Sequence, residues 1–521
     1  MKKTLELPDT IEACHEMIIS MARQIEQLKR RAFGGSLKDR AVKFDGPSLF
    51  EEIDQEAMLE KAKELEKASE EVDEAAEERR REAKSQSKKR GKRPEKYNIY
   101  GLPVQTTTVY PEGIDINDYD VIGQDETNVL HMEPQRLWVE KTITPILRRK
   151  ADKGNPSPEI LQGERPHNII GGGHVGADLL ATLIDNKFNH HLPEYRQVKM
   201  FGELGLRLPT STVNDWVHAT ANVLYPLYES QREAVMSGGY VQIDEVPWNI
   251  ADRKGKSCRK GYAWQFLDVS PHPKGTYFYY HKGSRGGEIP RTQLRGYQGV
   301  IQNDGYKVYD EFENVPGITV LACMAHIRRK FVDAQKSNPL AGEAVKYIAT
   351  LYALEENLKA CEATADEIRA ERQRLAVPIL NGIEAWMKTA YMTCTPKEPL
   401  AVAIKYALSL WPRVMRYTEE GYYHIDSNPV ERGQRPSVLG RKNYLFSQND
   451  RGAEDNAIFY TFMVSCENLG INPRRWLQDT LERIRPDMEE EQLIGLRIPG
   501  EARSPFPVIS VHSVDGLMAR S

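Results

Sequence analysis

Two aspartates and a glutamate, far apart in the chain, stand where an acid side chain can be held rigidly. Asp244 follows Tyr240-Val241-Gln242-Ile243, and Asp304 follows Gly299-Val300-Ile301-Gln302-Asn303, so two β-prone runs each end in a carboxylate. Glu431 lies in Asn428-Pro429-Val430-Glu431-Arg432, at the start of a predicted short helix. Strand-end carboxylates face the sheet edge where ligands bind in α/β architectures. Two of them can share hard cations, Mg2+ or Mn2+, which take oxygen ligands. A third completes a two-metal site, whose ions clamp the attacking and leaving oxygens of a phosphoryl transfer. Glu245 is not expected to join them, because adjacent strand residues point to opposite faces. A lone strand-end aspartate more often caps a turn than binds metal. The combination of two strand-end acids and a late helical acid carries the reading.

Basic residues accompany the acids. Arg432, Arg435, Arg441 and Lys442 follow Glu431; arginine can bond phosphate oxygens bidentately, and lysine acts as a point charge. Cys323-Met324-Ala325-His326 has Cys-x-x-His spacing. A zinc site needs two more ligands, and none is evident at suitable spacing, so Cys323 reads as buried and His326 as an active-site neighbour. Arg328 and Arg329 follow on the same predicted helix and are candidates to face DNA. Trp248 and Tyr306 flank the acids and read as core or rim residues rather than stacking platforms.

The elements that must position these residues divide the chain. Residues 1–45 hold a coiled-coil-like helix: Ile11, Ile18 and Ile25 recur every seven residues, with Cys14, Met21 and Leu28 three after each. Residues 46–99 hold a long, mostly solvated charged helix and a basic arm. Residues 51–78 carry thirteen acids against three lysines, and residues 79–96 carry ten Lys or Arg against two Glu. The arm, with Lys88, Lys89, Arg90, Lys92 and Arg93, contains Gly91 and Pro94 and suits a phosphate backbone or minor groove. Residues 100–150 read as a small β module and 151–175 as a linker. Residues 176–236 read as three helices forming a helix-turn-helix domain, with Thr210 or Ser211 capping the third helix. Arg196, Ser211, Thr212 and Asn214 are its DNA-contact candidates. Residues 237–335 alternate strands and helix in the order of a ribonuclease-H-like catalytic core, an analogy of topology. Residues 336–420 form an α-helical insertion, 421–465 the second part of the core with Glu431, and 466–521 a C-terminal segment. The expected class is therefore multidomain α/β.

Composition sets bounds on this reading. The 521 residues are 40% hydrophobic and 28% charged, with a formal net charge of −4. Contact with a polyanion must come from local patches rather than from net charge. No run of about 18 apolar residues suggests a membrane span, and the N-terminus lacks the apolar core of a signal peptide. Six scattered cysteines without a Cys-x-x-Cys pair indicate neither a disulfide framework nor a zinc ribbon. A reducing cytoplasm is the expected location.

At these residues the chain resembles the insertion-sequence-sixty-six family of bacterial transposases, over nearly its whole length. The matching blocks are Ile243-Asp244-Glu245, Asn303-Asp304-Gly305-Tyr306, Cys323-Met324-Ala325-His326-Ile327-Arg328-Arg329-Lys330-Phe331, and Asn428 to Arg432 with Gly440-Arg441-Lys442-Asn443-Tyr444-Leu445-Phe446. Leu28 to Ser36 is similar to the end of the family's zipper-like helix, and His190 to Gln197 with Ser211 to Val217 to its helix-turn-helix. The resemblance implies that the Asp-Asp-Glu triad falls on Asp244, Asp304 and Glu431. It implies a transposase that binds the ends of an insertion sequence, cuts with two Mg2+ or Mn2+ ions, and joins the freed 3′-OH to target DNA. The implied partners are double-stranded DNA, as terminal inverted repeats and as target, a second copy in a homodimer or higher oligomer, and accessory proteins encoded by the element. One departure stands out: the family's cysteine-rich segment before the helix-turn-helix corresponds to Tyr119 to Arg148, which has no cysteine, so no zinc is expected. Two alternatives stay open, a ribonuclease-H-like nuclease without strand transfer and a non-catalytic DNA-binding regulator derived from a transposase.

Overall fold

The computed structural model describes residues 175–251 and 258–498, with helical residues within 63–81 and the segments 136–148, 160–162 and 168–170. The chain divides into Met1–Met58 and Leu59–Ser521, and all the described residues belong to the second unit. The heptad seam of 9–33 and the arm Lys88 to Arg93 lie outside the described residues.

A five-stranded mixed sheet organises the molecule. β3 (Tyr240–Ala251), β4 (Cys258–Asp268) and β5 (Thr276–His281) form an antiparallel meander, and β6 (Gly299–Asn303) and β7 (Ile318–Ala322) run parallel to β3, giving the order β5-β4-β3-β6-β7. Aromatic and β-branched residues dominate these runs, as a sheet buried on both faces requires. Strand alternation sends Val241, Ile243, Ile301 and Val320 into one core and Tyr240, Val300 and Leu321 into another. A short pair, β1 (Ile146–Arg148) and β2 (Ile160–Gln162), is antiparallel and stands apart from this sheet.

Helices cover both faces. The first core takes α1 (Ala177–Phe188), α2 (Glu194–Glu203) and α3 (Thr210–Met236) from before the sheet. From after it come α11 (Asp450–Asn468) and α12 (Pro473–Arg483), while α13 (Glu490–Ile494) lies against α3. The short α4 (Glu288–Gln293) joins β5 to β6. The second core is built with α5 (Met324–Gln335), α6 (Ala341–Ala360), α8 (Val377–Thr393) and α9 (Pro399–Met415); α7 (Ala365–Glu371) and a π-helical turn, Arg372–Ala376, lead into α8. α10 (Asn428–Tyr444) packs on β3 and β4. Gly433 permits that approach, since a Cβ there would collide with the buried Gln265 amide.

Several expectations change. β3 does not stop at Asp244: it continues to Ala251 along β4, while its pairing with β6 ends at Gln242. Pro247 fits because β3 pairs with β4 alone at that point, its other side being bridged again only at Ile250, to Ser447, and a missing N–H is tolerated there. The helix bearing Glu431 is long, seventeen residues, and not short. α3 begins at Thr210 with Pro209 as its N-cap, so Thr210 and Ser211 lie inside the helix and neither caps it. Within the stretch 100–150 read as a small β module, the apolar run Leu137-Trp138-Val139 forms no strand, and β2 falls in the stretch read as linker. The charged helix is not solvated all round: Leu65, Ala68 and Val72 are buried in the second core. Their spacing of three and four residues makes a narrow apolar stripe, which the surrounding acids mask in composition.

Gly299 fixes β6 against β3. Its φ of +137° is disfavoured for side-chain residues, and a Cβ would strike the backbone of Gly239. Gly299→Ala is expected to destabilise the protein by about 2–3 kcal/mol or more. Gly296→Ala, at φ +77° in open space, should cost only about 1–2 kcal/mol. Denaturant midpoints of the two variants side by side test this; equal losses would remove the backbone collision as the cause.

Candidate active site

Three elements bring the three acids to one place. Asp244 lies on β3 two residues beyond the last pairing with β6, and Asp304 directly follows β6. Both share the strand parity of Gln242 and Gln302, so both face the second core's side of the sheet. Glu431 occupies the first turn of α10. A buried polar network sets its position. Gln242 Nε2 donates to Gln302 Oε1 (2.8 Å) and to the Asp426 carbonyl (3.0 Å), and Gln242 Oε1 accepts from Val430 N (3.3 Å). Gln302 Nε2 donates to the carbonyls of Ala322 (3.2 Å) and His424 (2.8 Å), and Tyr240 Oη donates to Gln302 Oε1 (2.8 Å). The strands thus hold the segment His424 to Val430, and α10 starts from it. Asp304 is fixed by Tyr306 N, donating to Oδ1 at 2.9 Å, and by Tyr406 Oη, donating to its carbonyl at 2.7 Å.

Charge is concentrated here. Burial, then the carboxylates of Asp304 and Glu431, push Asp244 up to about 7. On the other face Glu245 is buried in an ion pair with Arg285 and accepts from Tyr309 Oη at 3.3 Å. Burial pushes it up to about 7, with Arg285 pulling the other way. Arg285 Nη2 also reaches Asp304 Oδ2 (3.3 Å), and its guanidinium lies 4.0 Å from the Tyr306 ring centre. Arg329 Nη2 donates to Glu431 Oε2 at 3.5 Å, and His326 Nδ1 lies 3.5 Å from Glu431 Oε1. Burial lowers the His326 imidazole, opposed by Glu431 and Asp304, and raises the Cys323 thiol to about 11. The acids open on a cleft of about 500 Å3 whose walls include Asp244, His326, Arg329, Glu431, Gln434 and Arg435. Asp304 is not among those walls, but its charge reaches Asp244.

The other sequence-predicted residues are dispersed. Arg328, Arg329, Arg432, Arg435 and Lys442 are exposed, the first two on α5 and the rest on α10. Arg441 donates instead to the Pro247 carbonyl and secures the end of α10 on β3. Arg196 and Ser211 are exposed and Thr212 is half-buried, whereas Asn214 donates to Glu194 Oε2 (3.3 Å) and ties α3 to α2. Trp248 is buried, stacked on Tyr280. Cys323 and His326 do have a further companion: Glu431, with one potential ligand atom from each of the three lying within 4.8 Å of the others. It comes from 105 residues beyond His326 in sequence, where spacing gives no hint. Sequence reasoning also missed Arg285. The available signal was a lone arginine in Gly283-Ser284-Arg285-Gly286-Gly287, directly after a strand.

Comparison with known proteins assigns the chain to a family. The profile of the transposase IS66 family matches residues 172–455, a stretch containing all three acids. Two curated proteins of Sinorhizobium fredii (strain NBRC 101917 / NGR234), both described as uncharacterized, are similar over most of the chain. Protein y4jD is 30% identical over 376 residues, 70% of this chain and 72% of its own length. Protein y4hP is 29% identical over 386 residues, 70% of this chain and 68% of its own length. With more than half its length matched by that profile, the chain belongs to the transposase IS66 family.

Proposed function

We propose that the chain binds the ends of an insertion sequence and catalyses metal-dependent DNA cleavage and strand transfer, with Asp244, Asp304 and Glu431 as the catalytic carboxylates. The observation that carries this is the convergence of three acids from β3, the end of β6 and the first turn of α10. The antiparallel meander followed by parallel β6 and β7 supports a ribonuclease-H-like core.

The donor set fits hard divalent cations. Burial and two neighbouring carboxylates favour the protonated form of Asp244, and Glu431 Oε1 is a buried acceptor that lies 3.5 Å from His326 Nδ1 without a hydrogen bond; a cation would relieve both. Asp244, Asp304 and Glu431 would hold two Mg2+ or Mn2+ ions, which supply charge neutralisation and nucleophile activation for in-line displacement at a phosphodiester. Arg329 and Arg435, at the cleft wall, orient the scissile phosphate. Arg328, Arg432 and Lys442 extend the positive surface along the DNA backbone. α2 and α3 act as the helix-turn-helix, with Arg196, Ser211 and Thr212 towards the element end. Two ends must be held together, which calls for a dimer or higher oligomer; the heptad seam of 9–33 supplies the contact. No described helix is long and apolar enough to cross a membrane.

A labelled duplex bearing the element's end, a supercoiled target and Mg2+ provide the decisive assay. Wild type should yield joined product, and Asp304→Ala and Asp244→Asn should yield none while still retarding the labelled end. Cleavage without joining would replace the transposase by a nuclease, and full activity in either variant would sink the triad.

Stability against pH gives an independent check. The folded-state proton affinity of Asp244 is raised, so its contribution is full below about pH 4 and is lost as pH rises through about 7. In metal-free protein, Asp244→Asn should gain on wild type by about 2–3 kcal/mol between pH 5 and 8. Adding Mg2+ at pH 8 should raise the melting temperature of wild type more than that of the variant. A pH-independent difference would show that folding does not raise the proton affinity of Asp244.

A further inference from the structure

We propose that Cys323, His326 and Glu431 form a second cation site, selective for a thiophilic divalent ion of the zinc class, which shares Glu431 with the carboxylate cluster. Cys323 is the N-cap residue where β7 turns into α5, and His326 follows one turn later on the same side. Glu431 meets them from α10, and one potential ligand atom from each of the three lies within 4.8 Å of the others. Two of these groups are poorly satisfied: His326 Nδ1 and Glu431 Oε1 are both buried and face each other at 3.5 Å without forming a hydrogen bond. Buried polar atoms left in this way are destabilising, and one cation between them would satisfy both. Cys323 Sγ accepts a hydrogen bond from Ser427 N at 3.2 Å and sits at the N-terminus of a twelve-residue helix. Both features oppose, without cancelling, the burial that favours the thiol; the cation itself displaces the thiol proton, which is released to solvent.

The donor set separates this site from its neighbour. Thiolate, imidazole and one carboxylate suit zinc, whereas Mg2+ prefers oxygen ligands alone. Three protein ligands leave a fourth position, which opens to the cleft that His326 and Glu431 line. Metal–ligand distances of about 2.0–2.3 Å require the donors to close in slightly. The side chains of His326 (21% exposed) and Glu431 (30% exposed) have solvent on one side and room to do so. Occupation draws Glu431 towards Cys323 and away from Asp244 and Asp304, so the thiophilic ion opposes Mg2+-dependent chemistry. This last consequence rests on the proposed function; the binding itself does not.

Cadmium titration of the full chain, followed by the ultraviolet charge-transfer absorption of thiolate-bound Cd2+, tests the site, with Zn2+ as competitor. A component of the absorption should vanish in Cys323→Ser and persist in Cys258→Ser and Cys361→Ser. Its affinity should fall at least about tenfold in His326→Ala and Glu431→Gln, since loss of a second-sphere partner alone costs that much. Cys323 is in the core, so if Cys323→Ser fails to fold, the other two variants decide. A wild-type spectrum in folded Cys323→Ser, or wild-type affinity in both His326→Ala and Glu431→Gln, overturns the proposal. In the strand-transfer assay, Zn2+ at the concentration that displaces Cd2+ should suppress joining; undiminished joining would overturn the sharing of Glu431. Absence of joining under all conditions would count against the transposase mechanism and leave the cadmium result standing.

Discussion

Two buried glutamines hold the molecule's chemistry in place. Gln242 and Gln302 are inaccessible to solvent in the middle of the sheet, on the strands that lead to Asp244 and Asp304. An amide in such a place must find partners, because an unsatisfied one is destabilising by a few kcal/mol. They find each other, and then backbone groups of the segment His424 to Val430. Satisfaction of two polar side chains therefore joins residues about 180 positions apart in sequence and sets where α10 begins. Neighbouring contacts reinforce the segment. Asp426 accepts from Tyr352 Oη and Asn428 N, Met324 N donates to the Ile425 carbonyl, and the buried Arg372 donates to the carbonyls of Tyr417, Glu420 and Tyr423. Because such networks are either complete or costly, the start of α10 has one favoured position.

Electrostatics at the site follows from this rigidity. Asp244 is buried beside the carboxylates of Asp304 and Glu431, and burial first, then their charge, raises its proton affinity. Arg285 offsets part of the repulsion, bridging Glu245 on one face to Asp304. Glu245 is thus set apart from the three acids by strand parity alone, and its partner arginine still contributes positive charge to their surroundings.

Much of this was legible in the residues, in a graded way. The runs ending at Asp244 and Asp304 identified the strands, because apolar β-formers next to an acid have few other readings. Glu431 could be placed on a helix, and the resemblance grouped it with Asp244 and Asp304, but the means of bringing them together could not be read, since it depends on Gln242 and Gln302, which look unremarkable in sequence. The extension of β3 past Pro247 was hidden because proline ordinarily ends a strand, and only one-sided pairing allows it. Thr210 and Ser211 were favourable capping types, yet Pro209 took the boundary. The acidic stretch around Leu65, Ala68 and Val72 was misjudged because thirteen acids obscure a three-residue apolar stripe. Spacing within one motif could not announce the neighbourhood of Cys323, His326 and Glu431, which are donors from two separate helices.

That buried stripe has a geometrical corollary. The helical stretch within 63–81 is fastened to the second core, and Arg79, near its end, donates to the Glu356 carbonyl at 2.8 Å. The basic cluster Lys88 to Arg93 is nine to fourteen residues further along. Even fully extended, such a tether reaches only about 30–50 Å from its anchor. Any anionic group that the cluster meets must therefore lie within that radius of the Glu356 end of α6, so covalent geometry alone sets an outer limit on what the cluster can touch.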